Sequence, residues 1–305
     1  MIMPMDETTI RERRPGWIKV RRLGAKAREM MARPLAGLNT VCVEANCPNI
    51  GECWARGTAT FMIMGATCTR ACGFCDVAFG KPEALNPHEP ELLAASIAGL
   101  GLEYSVITCV DRDDLEDSGA AHWVACIEAV RRKNPGVKVE ILTGDFKGAE
   151  HHVATVARAR PEVFAHNVET VPRLQKVARH KATWERSCRV LDVARDAARA
   201  AGFTMFIKTG MMLGLGETDE EVRDAMRILL SEHNVELLTL GQYLMPRRLP
   251  DKLAVDRYVE PQRFEEFKQY GLSIGYKGVA ASPLTRSSHL AETLYADAVS
   301  VSRKP

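Results

Sequence analysis

A partial (β/α)6 barrel of the TIM type, flanked by an N-terminal and a C-terminal extension, is the α/β fold this sequence predicts. Three observations predict it. Between Phe61 and Gly271, short near-continuous apolar runs alternate with longer segments of helical pattern, giving six strand–helix units in order. Strands that are apolar throughout, with no polar alternation, belong to parallel sheets covered by helices. A closed barrel of eight units would need two more strands than the six the chain supplies.

Each element has its own signal. Phe61-Met62-Ile63-Met64 is an apolar run ended by Gly65 and reads as the first strand. Glu89 to Leu100 is helical in pattern, and Tyr104 to Thr108 is the second strand. The helix from Ser118 to Arg132 is stopped by Asn134-Pro135-Gly136. Val137 to Leu142 and Val163 to Val168 are the third and fourth strands, and the helix Ala149 to Ala159 between them ends before Pro161. Two helices broken around Lys181 lead to the fifth strand, Phe203 to Leu213. Thr218 and Glu221 are spaced as a capping box, so Gly214-Leu215-Gly216-Glu217 reads as a turn into the helix Thr218 to Glu232, in preference to a phosphate loop. Val235 to Leu244 is the sixth strand and Pro261 to Gly271 its helix. The barrel occupies residues 58–277. Residues 1–57 precede it, and residues 278–305 follow with the short apolar Gly278-Val279-Ala280 and a last helix from Ser288 to Val299.

Composition narrows the function. The 305 residues are 46% hydrophobic and 26% charged, as in ordinary globular proteins. The formal charge is 41 minus 39, or +2, which supplies no field for nucleic acid. No run of 18 apolar residues is present to cross a membrane. The N-terminus lacks the apolar core of a secretory signal, and Asp6, Glu7 and Glu12 interrupt its arginines, so a cytoplasmic location is expected. Residues 1–33 carry nine basic and four acidic residues, +5 locally. They read as a solvated arm anchored by Trp17 and Ile18, or as a docking surface for an acidic protein.

In a reducing compartment clustered cysteines are metal ligands or redox groups, and the odd total of nine also speaks against a disulfide framework. Six of them fall between Thr40 and Lys81, as two triads: Cys42, Cys47 and Cys53, then Cys68, Cys72 and Cys75. In the second triad the spacings of three and two residues let three thiolates wrap a small iron–sulfur cube and leave one iron open. A zinc site would want a fourth ligand, and the nearest downstream histidine, His88, lies beyond Pro82 and Pro87. The triad also follows the first strand, at the end of the barrel where such folds place active sites. The first triad, in a Pro-, Asn- and Gly-containing loop, could by itself be a zinc site completed by a distant ligand. Cys109, Cys126 and Cys188 stand alone in apolar surroundings and read as core.

Cys68-x3-Cys72-x2-Cys75, with Phe74 before its last cysteine, resembles the signature of the radical S-adenosylmethionine superfamily. More closely, the chain resembles the lipoyl synthase family over roughly residues 15–295. The resemblance is carried by Cys47-Pro48-Asn49-Ile50-Gly51-Glu52-Cys53-Trp54, Arg56 to Met62, Cys68 to Cys72 with Phe74-Cys75-Asp76-Val77-Ala78, Val110 to Leu115, His166 to Leu174, Gly214 to Thr218 and Arg286-Ser287-Ser288. It departs at His289-Leu290-Ala291, at Gly144 and Lys147, and at Met245, none of which is an expected cluster ligand.

The resemblance implies two [4Fe-4S] clusters and S-adenosylmethionine as cofactors. Cys68, Cys72 and Cys75 would hold the cluster whose open iron chelates S-adenosylmethionine. Cys42, Cys47 and Cys53 would hold an auxiliary cluster, with Ser288 as its remaining ligand. A serine oxygen matches iron in such a cluster less well than thiolate does, and in this family the auxiliary cluster is dismantled to donate sulfur. The alternative for Ser287 or Ser288 is a plain helix cap. Cofactor-binding residues are expected at Asp111, Arg112 and Asp113 after the second strand, a stretch that could also be a solvated turn. Asn167 and Glu169 at the end of the fourth strand, and Lys208 as a polar lumen contact in the fifth, complete that set.

The implied reaction is radical insertion of two sulfur atoms at C6 and C8 of a protein-bound octanoyl-lysine, since no side-chain base can deprotonate an unactivated C–H bond. The implied partners are octanoylated lipoyl-domain proteins (acyltransferase subunits of 2-oxoacid dehydrogenases, the glycine cleavage H protein), an electron donor such as ferredoxin or flavodoxin, and a cluster-assembly carrier. The runners-up are another sulfur-inserting enzyme similar to biotin synthase, and a non-enzymatic iron–sulfur electron carrier.

Overall fold

In the computed structural model the residues described are 14–19, 24–25, 28–29, 37–56, 58–246 and 252–303. The frame is a sheet of eight strands: β1 (Asn39–Thr40), β2 (Thr60–Ile63), β5 (Tyr104–Cys109), β6 (Lys138–Leu142), β7 (Val163–Ala165), β8 (Phe206–Leu213), β9 (Leu237–Gln242) and β10 (Gly278–Ser282), in that spatial order. From β2 to β10 every neighbouring pair is parallel, and only β1 runs antiparallel, against β2. A separate ribbon pairs β3 (Thr67–Cys68) with β4 (Ala78–Phe79). Among the described residues the two ends of the sheet do not pair, so the barrel is open, as the count of units predicts.

Strand order follows chain order because each parallel connection contains a helix: α3 (Glu89–Leu100), α4 (Ala120–Lys133), α5 (Glu150–Ala157), α7 (Trp184–Ala200, preceded by the short α6, Gln175–Ala178), α8 (Asp219–Ser231) and α9 (Pro261–Ile274). Their ends carry the sequence signals. The Thr218–Glu221 capping box is formed at α8, and Gly101 and Gly275, both at positive φ, close α3 and α9. Apolar strand residues such as Phe61, Ile107, Ile141, Phe164, Ile207 and Leu238 join Trp123, Phe264 and Phe267 from the helices in one continuous core. Full burial of such a side chain stabilises by about 1.5–3 kcal/mol.

Four features differ from the sequence reading. Gly278–Ser282, assigned to the C-terminal extension, pairs residue for residue with Leu237–Gly241 and adds a seventh parallel strand. The fourth strand stops at Ala165 instead of Val168, because the regular ladder breaks there; the chain rejoins β8 at a single bridge, Glu169 to Met211, with Glu169 at φ 66°. The first cysteine loop contains two short helices, α1 (Val41–Glu44) and α2 (Ile50–Ala55). The last helix, α10 (Ala291–Ser302), begins after Leu290, and neither Ser287 nor Ser288 caps it. Of the two proposed anchors of the basic arm, Ile18 is buried and Trp17 is exposed; most of the arm lies outside the described residues. Among the described residues no helix is long and apolar enough to cross a membrane.

Candidate active site

The second cysteine triad is mounted where β2 ends. Met64 and Gly65 turn the chain out of the sheet at φ 69° and 94°. The Met64 peptide is clamped at both ends: its N–H donates to Glu89 Oε2 (2.8 Å), and its carbonyl accepts from Arg112 Nη1 (3.3 Å). Pairing of β3 with β4 then closes the segment bearing Cys72 and Cys75 into a ring, with the Gly80 N–H donating to the Cys68 carbonyl. Arg70, inside the triad, fastens this ring to the barrel. Its guanidinium reaches both oxygens of Asp113 (2.9 and 2.8 Å) and Asp145 Oδ1 (2.6 Å), and lies 3.8 Å from Asp111. Burial works against the Asp145 carboxylate, but the bonds and charge of Arg70 outweigh it and hold its pKa at about 2. Lys252 donates to the Cys72 carbonyl (2.8 Å) and Lys181 to that of Thr69 (3.4 Å).

The ring opens onto a cavity of about 240 Å³ at the C-terminal ends of the strands, lined by Cys68, Cys72, Cys75, Asp111, Asn167 and Glu169 among others. A larger cavity, about 620 Å³, lies at the other end of the barrel beside Glu162, Lys277 and Arg303 and contains no cysteine. The thiols, not the volume, decide which is the site. Burial pushes the Asp111 carboxyl up to about 6 against the pull of Arg70, and raises Glu169 against Arg179 and Asn167. His166, behind the cavity, is lowered to about 4 by burial and the Arg179 charge. It is therefore neutral, with one ring nitrogen on the Thr143 carbonyl (2.9 Å) and the other on Ser187 Oγ (3.1 Å). Gly144 leaves room for Asp111: a Cβ at that position would sit 2.2 Å from its Oδ1.

The first triad stands on the short layer laid over β1. Cys42 packs with Trp54 and Ala59 in a small core of its own, and the Cys47 N–H donates to the Cys42 carbonyl. Burial pushes the Cys42 thiol up, and the indole N–H of Trp54, without a hydrogen-bond partner among the described residues, pulls against it. The C-terminal segment closes over this layer. Asn49 donates to the Leu284 carbonyl at 2.6 Å and His289 lies 3.9 Å from Glu52. Burial and the neighbouring Cys42 push the Cys47 thiol up, against the opposing pull of the Arg286 guanidinium.

Both triads pass the same chemical test for an iron–sulfur cluster. Within each, the thiols stand close enough that one's charge raises another's pKa. Burial and neighbouring thiols take Cys53 and Cys72 to about 12, and burial takes Cys75 to about 11. None of the six is in a disulfide. Three soft donors converging where the free thiolate is disfavoured suit a cationic iron cluster, which deprotonates its ligands on binding.

The structure brings Asp111, Asn167 and Glu169 to the cavity and sends three expected cofactor contacts elsewhere. Arg112 is spent on Asp114 and on the carbonyls of Met64 and Glu83, and Asp113 on Arg70. Lys208 points into the lumen, bonded to Glu140 and to the Ser287 carbonyl. Ser288 makes no side-chain hydrogen bond among the described residues, while Ser287 exchanges bonds with the Asn167 amide at 2.8 and 3.1 Å. Cys126 and Cys188 are core, as read from the sequence, whereas Cys109 also lines the cavity. Sequence reasoning missed Arg70, Asp145, Arg179 and Lys252. Arg70 alone had a visible signal, a cation inside a thiolate triad.

Comparison with known proteins agrees with this geometry. The Radical SAM superfamily matches residues 62–229, more than half the chain. Methylornithine synthase superposes with a TM-score of 0.56 at 15% identity, covering 72% of this chain and 63% of that one. A maturase of the [FeFe]-hydrogenase gives 0.56 at 12% identity, over 72% and 50%. The class is thus radical S-adenosylmethionine enzymes, with S-adenosylmethionine and [4Fe-4S] clusters as cofactors.

Lipoyl synthase of Coxiella burnetii (strain Dugway 5J108-111) is 49% identical over 284 residues, 92% of this chain and 88% of its own. Lipoyl synthase of Methylococcus capsulatus is 50% identical over 283 residues (92% and 86%), and that of Azotobacter vinelandii 46% over 294 (95% and 87%). The chain belongs to the lipoyl synthase family.

Proposed function

We propose that this protein inserts two sulfur atoms, at C6 and C8, into an octanoyl group carried on a lysine of a protein substrate, forming the lipoyl group. The observation that carries the reading is the seating of Arg286-Ser287-Ser288 between the two cysteine triads, tied to one side by Asn49–Leu284 (2.6 Å) and to the other by Asn167–Ser287 (2.8 Å). An electron carrier has no use for such a bridge. The runner-up similar to biotin synthase does not pair an N-terminal cysteine triad with a C-terminal Arg-Ser-Ser.

In this reading Cys68, Cys72 and Cys75 hold one [4Fe-4S] cluster, and Cys42, Cys47, Cys53 and Ser288 hold the other. When bound, the cofactors supply one-electron chemistry able to take hydrogen from an unactivated carbon, and a source of sulfide. The chain's own residues supply position. Arg70, with Asp113 and Asp145, fixes the second triad against the barrel rim. Asp111, Asn167 and Glu169 present polar groups to an amino acid and ribose from one wall of the cavity. Buried apolar strands beneath exclude water from a reaction in which stray donors would quench a radical.

The proposal extends to the partners. Acyltransferase subunits of 2-oxoacid dehydrogenases and the glycine cleavage H protein are the octanoylated substrates, ferredoxin or flavodoxin the electron donor, and a cluster-assembly carrier the source of renewed iron and sulfide, all in the cytoplasm. It includes the division into an N-terminal extension of residues 1–57, a barrel from residue 58 that runs on through β10, and a C-terminal segment beyond Ser282.

Anaerobic incubation with an octanoylated lipoyl-domain peptide, S-adenosylmethionine and a reductant tests it by mass. A gain of two sulfurs with loss of two hydrogens after oxidation is expected. An unchanged peptide, with about eight irons per chain present, overturns it.

A further inference from the structure

We propose that Lys208 is a positioning residue for Ser288, acting through the main chain of Ser287. The inference rests on the reading of Ser288 as the ligand that completes the first triad. Lys208 on β8 and Glu140 on β6 flank β7 and meet across the barrel lumen, Nζ to Oε1 at 2.7 Å, each side chain 1% exposed. The other carboxylate oxygen of Glu140 accepts from the Tyr104 hydroxyl at 2.6 Å. A buried ion pair gains little over well-packed apolar residues, because desolvation offsets the attraction. Stability alone therefore gives no reason for a charged lumen here.

The geometry gives one. An ammonium has three N–H groups and holds them in different directions. One of those on Lys208 goes to the sheet through Glu140, and another leaves it, to the Ser287 carbonyl at 2.7 Å. The Ser287 carbonyl and the Ser288 N–H lie in one rigid peptide plane, so fixing that oxygen fixes the plane from which Ser288 departs. Asn167 holds the Ser287 hydroxyl as well. Every polar group that Ser287 offers beyond its N–H is thus committed to the lumen, and its neighbour, without a hydrogen-bond partner among the described residues, keeps its hydroxyl free. The sheet itself aims the serine: β6 and β8 set the cation, and the cation sets the loop.

The test compares the parent, Ser288→Ala and the double variant Lys208→Met/Glu140→Gln, which removes both charges and leaves no carboxylate buried without its partner. Each is reconstituted anaerobically with iron and sulfide, and iron loss to a chelator is followed. The parent should hold about eight irons. In both variants half of that iron should leave roughly tenfold or more faster, the scale on which supports of metal ligands act, while the other half and equilibrium binding of S-adenosylmethionine stay unchanged. Amide hydrogen exchange of the loaded protein should quicken in residues 283–290 of the double variant and not in β6 or β8. Fast loss in Ser288→Ala with parent-like loss in the double variant overturns the role of Lys208 alone. Parent-like loss in Ser288→Ala overturns the ligand assignment beneath it. Exchange quickened throughout β6 and β8 also overturns the positioning role, because Lys208 would then be serving the core.

Discussion

The two cysteine triads lie within 34 residues of each other in sequence (Cys42 to Cys75) and are built in opposite ways. Cys68, Cys72 and Cys75 ride on a ring that grows out of β2, the first of the parallel strands, and is fastened to two further strand ends by Arg70. Cys42 and Cys53 ride on helices of four and six residues, below the length at which a helix holds itself, and Cys47 lies in the turn between them. They meet the sheet through the two-residue strand β1 and are closed by a segment more than 200 residues away, as the Asn49–Leu284 bond shows. A site welded to the scaffold suits a cluster that survives turnover. A site assembled from separable layers suits one that is taken apart and rebuilt, as the proposed function requires.

Cys68→Ala breaks the comparison on its rigid side and has the largest expected effect. Formation of 5′-deoxyadenosine, read by chromatography, should vanish, because the cofactor-binding cluster loses one of three thiolates. Persistence of the nucleoside would show that the triads have been assigned the wrong way round. Ser288→Ala acts on the other side: nucleoside still forms, while lipoyl product falls by at least the ~10–100-fold that loss of a ligand's support costs. Parent-level product would remove Ser288 from the site. Trp54→Ala is subtler. It empties the small core under Cys42, a change worth about 3–5 kcal/mol in a well-packed site, but one separate from the main core. Iron of the first triad should become labile while the thermal midpoint of the barrel moves little. A large drop in that midpoint would mean that the two layers fold as one.

Much of the barrel was legible because buried parallel strands and their capped helices write themselves locally: Phe61 to Ile63 as an apolar run, Thr218 and Glu221 as a cap. The edge strand Gly278–Ser282 was not, since five small residues, two of them polar or glycine, make little apolar signal and gain their place only by pairing with β9. The cysteines were legible from spacing, and Ser288 only from the family resemblance. Arg112 and Asp113 read as cofactor contacts from their place after the second strand, and Lys208 because a buried lysine is costly without a partner. Their partners proved to be protein: Asp114 and two carbonyls, Arg70, and Glu140 with Ser287. No local pattern distinguishes a charge awaiting a ligand from one already satisfied across the fold.

Gly241, on β9, bears no functional group and touches no cysteine. The space where its Cβ would stand is filled by the Thr285 carbonyl, 2.1 Å from that position, with Arg286 Nη1 at 3.1 Å. A single added methyl would lift the main chain that leads into Arg286-Ser287-Ser288 away from the strand beneath it. In a list of natural variants Gly241→Ala would pass as a mild change inside a hydrophobic strand. Its expected phenotype is that of a lost ligand: S-adenosylmethionine consumed, and no lipoyl group made.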